Sequence, residues 1–158
     1  MSDAENTLVM TLDTGPVTIR LRPDLAPLHV ARIKELAREG FYDGVVFHRV
    51  IGGFMAQGGD PTGSGGGGSD KPDLPAEFSA APHLRGVCSM ARLGHDVNSA
   101  NSQFFICFDD ATFLDGDYTV WGEVTDGMEH IDALPKGEPP RNPGKIVSMR
   151  VGANRPAA

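Results

Sequence analysis

The sequence predicts a mainly β fold, a sandwich or a closed barrel, that also carries two helices. Three observations predict it. About eight short runs are alternating or wholly apolar and are bounded by Gly, Pro, Asn and Asp. Only two stretches carry helical spacing. The chain has 158 residues, the size of one domain, so all eight strands must share one core. Closure would remove the exposed edges of such a sheet. Periodicity alone does not choose between barrel and sandwich.

The elements follow in order. Residues 7–12 and 17–21 alternate and are joined by Asp13-Thr14-Gly15-Pro16, which reads as a hairpin. Asp24 is placed to cap the next segment, with Pro27 in its first turn. Ala26, Val30, Ile33 and Ala37 then recur at i, i+4, i+7 and i+11, and Gly40 stops the helix. Strands are expected over 45–51, 54–57, 87–91, 103–107, 119–124 and 145–151, with a second helix over 127–134. Residues 62–75 read as a long glycine-rich loop and 135–143 as an irregular stretch. Residues 152–158 have little to bury and are expected to fray.

Fourteen basic residues against 21 acidic ones give a net charge of −7. Adhesion to nucleic acid or an anionic membrane needs the opposite sign, so neither is an expected partner. Residues 1–6 hold two acids and no apolar stretch, unlike a signal peptide. No apolar run nears the ~18 residues of a membrane span. Cys88 and Cys107 each sit in an apolar segment and read as buried thiols, which points to the cytoplasm.

Several motifs fail. Residues 63–68 satisfy G-x-G-x-x-G, but no helix follows to present amides to a phosphate. The P-loop, H-E-x-x-H and G-x-S-x-G patterns are absent from the sequence. His29, His48, His83, His95 and His130 form no metal-ligand spacing. Glu77 and Glu123 read as isolated surface or structural carboxylates. No metal or cofactor is expected.

The informative segment is Phe47-His48-Arg49-Val50-Ile51-Gly52-Gly53-Phe54-Met55-Ala56-Gln57-Gly58-Gly59-Asp60. On one strand, Phe47, Arg49 and Ile51 share a face. Phe54 and Gln57 share no regular face, so a bend or bulge is implied if both line one site. Taken alone, the segment reads first as a core strand with an exposed arginine.

The segment resembles the signature of the cyclophilin family of peptidyl-prolyl cis–trans isomerases. Two further stretches do so in the same order: Ser89-Met90-Ala91-Arg92 with residues 98–106, and residues 113–122 from Phe113 to Gly122. The resemblance runs from about Thr7 to Val151 within one domain spanning 1–158. It implies a closed eight-stranded antiparallel barrel capped by two helices, in the small bacterial cytoplasmic form. Arg49 matches the family's catalytic arginine. Phe54, Met55, Phe105 and Leu114 match the proline pocket, and Gln57 matches the glutamine that holds the substrate backbone. Ala91 and Arg92 match positions that bind peptide main chain. Gln103 matches a groove residue that also helps to hold the arginine.

Three positions depart from the common pattern. Phe113 stands where many eukaryotic members have a tryptophan whose indole donates to cyclosporin, so weak cyclosporin binding is expected. Tyr118 replaces a histidine in the pocket wall. Arg92 replaces an asparagine and adds positive charge at the groove.

The resemblance implies an isomerase acting on proline-containing peptides and on unfolded or folding proteins, as a monomer. A proline-peptide binding module would use the same pocket. A small-ligand β barrel would need a hollow interior instead.

Overall fold

A computed structural model describes residues 3–152. Its elements are β1 (Thr7–Leu12), β2 (Gly15–Leu21), α1 (Pro27–Arg38), β3 (Arg49–Ile51), β4 (Met55–Gly58), β5 (Val87–Met90), β6 (Phe104–Cys107), β7 (Val120–Asp126), α2 (Met128–Asp132) and β8 (Ile146–Val151). The strands form one sheet in the order β3-β4-β6-β5-β7-β2-β1-β8. Every neighbouring pair is antiparallel.

The expected closed barrel is corrected here: the sheet is an open half-barrel, with β3 and β8 at its two ends. The seam has a backbone cause. Val50 of β3 exchanges two 2.8 Å bonds with Gly137, so the outer edge of β3 is taken by the 135–143 stretch and not by β8. Among the described residues, the gap is crossed only ahead of β3. Phe47 N–H donates to Gly144 O at 2.9 Å, and Val46 bridges Lys145. These bonds satisfy backbone groups that an open edge would leave unpaired.

Register divides the strands into two faces. Ala56 pairs with Ile106, and Ile106 pairs with Cys88. All three side chains join the interior core with Leu8, Met10, Ile19, Phe104 and Trp121. The interior is filled. Phe104 makes edge-on contacts with Tyr42, Phe47 and Trp121, at 5.6, 6.1 and 5.8 Å between ring centres. By the two-residue alternation of a strand, Met55, Phe105 and Cys107 point the other way. They form a second, smaller apolar cluster on the outer face.

Phe47 does not share the face of Arg49. It is fully buried in the interior core, whereas Ile51 packs on the outer cluster. The regular strand begins only at Arg49, so alternation does not carry back to Phe47. The other expected strands are present, with ends shifted by up to two residues.

Helix α1 buries Val30, Ile33, Leu36 and Ala37 as its spacing requires. Asp24 does not cap it; its carboxylate accepts from Arg22 at 2.8 and 3.0 Å. The cap comes from far along the chain. Glu77 accepts from the backbone N–H of Leu28 at 3.2 Å and of His29 at 2.8 Å. Glu77 is therefore structural. Cys88 and Cys107 are buried free thiols, and burial pushes the Cys107 thiol up to about 12. Of the stretch expected to fray, residues 153–158 lie outside the described residues.

Candidate active site

The outer face of β3, β4 and β6 builds the site. Arg49 pairs with Gln57 across β3 and β4, and Gln57 pairs with Phe105 across β4 and β6. These pairings put one cationic, one amide and one aromatic side chain in a row on one face. The 52–54 turn then carries Phe54 to the same site, which supplies the bend that its spacing from Gln57 required.

A pocket of about 140 Å³ opens there. Its apolar wall is Phe54, Met55, Phe105 and Leu114. Ala91, Arg92 and Tyr118 form the far side, and Arg49 and Gln57 supply the polar lip. Phe105 is held from two sides. Tyr118 meets it edge-on at 5.6 Å, and the buried His83 ring stacks on it at 6.1 Å. His83 is itself pinned between Asp115 Oδ1 (3.0 Å) and Ser89 Oγ (2.9 Å). Arg92 lies over the Tyr118 ring at 4.6 Å, and its Nε donates to Asp117 O at 2.9 Å.

The polar lip is a connected chain. Arg49 Nε donates to Glu138 Oε1 at 2.9 Å, and Arg49 Nη1 reaches Gln57 Oε1 at 3.4 Å. Gln57 Nε2 donates to Gln103 Oε1 at 3.0 Å. Gln103 Nε2 donates in turn to the carbonyls of Gly65 and Gly67, at 2.9 and 2.8 Å. Beside Arg49, burial lowers the His48 imidazole from its ordinary value; Asp60 opposes that and Arg49 adds to it. A neutral ring there spares Arg49 a second neighbouring cation.

The glycine-rich loop is ordered by Asp60. Its fully buried carboxylate accepts from Thr62 N–H and Oγ1 at 2.8 Å, from Gly65 N–H at 2.7 Å and from Gly67 N–H at 3.0 Å. A Cβ on Gly67 would collide with Asp60 Oδ1, so the approach requires glycine. A second groove, about 320 Å³, runs from Gln57 and Gln103 along this loop to Asn101.

Comparison with known proteins decides the family. The family model "Cyclophilin type peptidyl-prolyl cis-trans isomerase/CLD" matches residues 7–151. This chain belongs to that family. A probable peptidyl-prolyl cis-trans isomerase of Brucella suis is 51% identical to it, over 97% of this chain and 86% of that protein. A cyclophilin of Hirschia baltica superposes with a TM-score of 0.90 at 31% identity, covering 98% of this chain and 76% of that one. A Cryptosporidium parvum cyclophilin, crystallised in the presence of the dipeptide Ala-Pro, gives 0.85 at 28% identity, over 92% and 98% of the two chains. The protein is thus a cyclophilin-type peptidyl-prolyl cis–trans isomerase.

Most of the sequence-derived site residues of this cyclophilin meet at the one pocket. Two stand apart from it. Gln103 lines the adjoining groove and reaches Arg49 only through Gln57. Phe113 is 71% exposed and leans on Phe54 with ring centres 5.6 Å apart, outside the pocket wall. Sequence reasoning missed Glu138 and Asp60. Glu138 lies 89 positions from Arg49 in a stretch without periodicity, which offers no signal. Asp60 had one: an acid opening a glycine-rich loop whose amides need an acceptor.

Proposed function

We propose that this isomerase acts on Xaa-Pro bonds of folding polypeptides, without a covalent intermediate, and that Arg49 stabilises the twisted amide. The observation that carries the reading is the guanidinium of Arg49 at the lip of an apolar pocket sized for a proline ring. Amide resonance sets a barrier of about 18–20 kcal/mol. Twisting breaks that resonance and leaves a lone pair on the proline nitrogen. A donor aimed at that nitrogen binds the transition state better than either planar form. Arginine suits this task because it stays charged and is rich in donors. Arg49 Nη2 has no protein partner among the described residues.

One charge-assisted bond contributes about 1.5–3 kcal/mol, whereas a 10⁴-fold acceleration needs about 5.4. The remainder is assigned to the apolar wall, which disfavours the charge-separated planar amide; Gln57 holds the substrate backbone on one side of the bond while the other turns. The Ala-Pro dipeptide used with the Cryptosporidium relative supports proline peptides as substrates. The buried thiols of Cys88 and Cys107 support a reducing, cytoplasmic setting.

The test is cis–trans exchange of an Ala-Pro peptide by NMR, for the wild type and Arg49→Ala. Catalysed exchange that falls to near background in the folded variant is expected. Equal acceleration by both proteins removes Arg49 from the mechanism. Peptide binding without acceleration replaces the enzyme with a binding module.

A further inference from the structure

We infer that Glu138 is a positioning residue for catalysis: its carboxylate fixes the rotation of the Arg49 guanidinium so that the Nη edge is delivered to the substrate. This rests on the assignment of Arg49 as the catalytic donor. Three features place Glu138 there. Backbone pairing comes first. Val50, next to Arg49, exchanges two 2.8 Å bonds with Gly137, next to Glu138. That bridge seats residues 49 and 138 side by side at the open end of the sheet. The seat also requires glycine. Gly137 has φ +145°, and a Cβ there would meet the backbone of Pro140 at 2.7 Å. Donor usage is the third feature. Glu138 takes Nε at 2.9 Å and Gln57 takes one Nη1 hydrogen weakly at 3.4 Å. Nη2 and the second Nη1 hydrogen are left for substrate.

A guanidinium is planar, so fixing Nε fixes the plane of the whole fork. Arg49 is 44% exposed and would otherwise rotate freely about its long side chain. The ion pair is itself exposed on the Glu138 side, at 56%, so its contribution to fold stability is small. Its effect is therefore expected in turnover.

The experiment compares the wild type, Glu138→Ala, Glu138→Gln and Arg49→Ala by NMR exchange at several peptide concentrations, with the Arg49 Nε–H resonance followed in parallel. Glu138→Ala is expected to lower kcat about fivefold, leave KM within about twofold and shift the Nε–H signal. Glu138→Gln keeps an acceptor for Nε–H and is expected to recover at least half of kcat. Wild-type kcat in Glu138→Ala overturns the inference, as does a loss of kcat that Glu138→Gln leaves unrepaired. If Arg49→Ala turns over normally, the Arg49 assignment itself has failed. An inactive Arg49→Ala beside a normal Glu138→Ala removes only the role of Glu138.

Discussion

Gln57 and Gln103 are joined amide to amide, Nε2 of the first donating to Oε1 of the second at 3.0 Å. The bond orients Gln57. With Nε2 engaged, Oε1 is the end turned to Arg49. Gln103 is immobilised in turn by two loop carbonyls, so the glycine-rich loop and the pocket lip share one hydrogen-bond chain.

Gln103→Ala should therefore loosen Gln57 while leaving the apolar wall intact. A neutral hydrogen bond is worth about 0.5–1.5 kcal/mol, which converts to a loss of roughly two- to tenfold in kcat/KM. The loss should fall on KM, because Gln57 is assigned to hold the substrate backbone. Steady-state exchange kinetics check this, and a fall confined to kcat would move Gln57 into the chemical step.

Asp60 should couple the loop to acid. Burial raises its carboxyl, but the donors of Thr62, Gly67 and Gly65 outweigh that and hold it well below the usual carboxylate range. A lowered folded-state pKa stabilises the fold above the unfolded value near ~3.9, and the contribution is lost as pH falls below it. Asp60→Asn should lose about 2 kcal/mol at pH 7. The gap from wild type should narrow at about pH 3, where the wild type also begins to lose the contribution. Urea unfolding at the two pH values reads this directly, and a gap that ignores pH would count against it.

Much of the fold and the site is legible in the amino-acid sequence, for physical reasons. Strand alternation marks Met55, Phe105 and Cys107 against Ala56, Phe104 and Ile106, and that alternation is the division between outer and inner face. Arg49, Phe54 and Gln57 lie within nine positions, so a local motif can carry them. The open end of the sheet is not legible. It depends on Val50 bonding Gly137 through main chain, and backbone pairing leaves no side-chain pattern. The cap on α1 is misplaced by sequence because Asp24 satisfies the local rule, yet Arg22 engages it and Glu77 arrives from 48 positions away.

Phe113 offers a gain-of-binding test. Its ring is 71% exposed and supplies no hydrogen-bond donor. Phe113→Trp places an indole N–H at the rim where related proteins use one for cyclosporin. One neutral hydrogen bond, about 1 kcal/mol, should tighten cyclosporin roughly fivefold over the wild type. Isothermal titration measures it, and an unchanged Kd would show that the residue at 113 does not set cyclosporin affinity.

Glu77 should reveal itself through both helix stability and pH. It caps α1 through two backbone N–H groups and also meets His29 Nδ1 at 2.6 Å. Burial lowers the pKa of His29, and the hydrogen bond that its ring donates to Glu77 only partly restores it. Glu77→Ala removes the cap, at a cost of about 1–2 kcal/mol, or roughly 2–8 °C of Tm for a chain of this size. It also removes the group that raises His29, so the folded-state pKa should fall further below the unfolded ~6.5. A lowered folded-state histidine makes the native state bind fewer protons than the unfolded one, so stability drops as pH falls through that range. The deficit of Glu77→Ala should therefore be larger at about pH 5 than at about pH 8. Thermal melts at the two pH values decide it: an equal deficit at both would leave Glu77 as a cap alone, and no deficit at either would remove both roles.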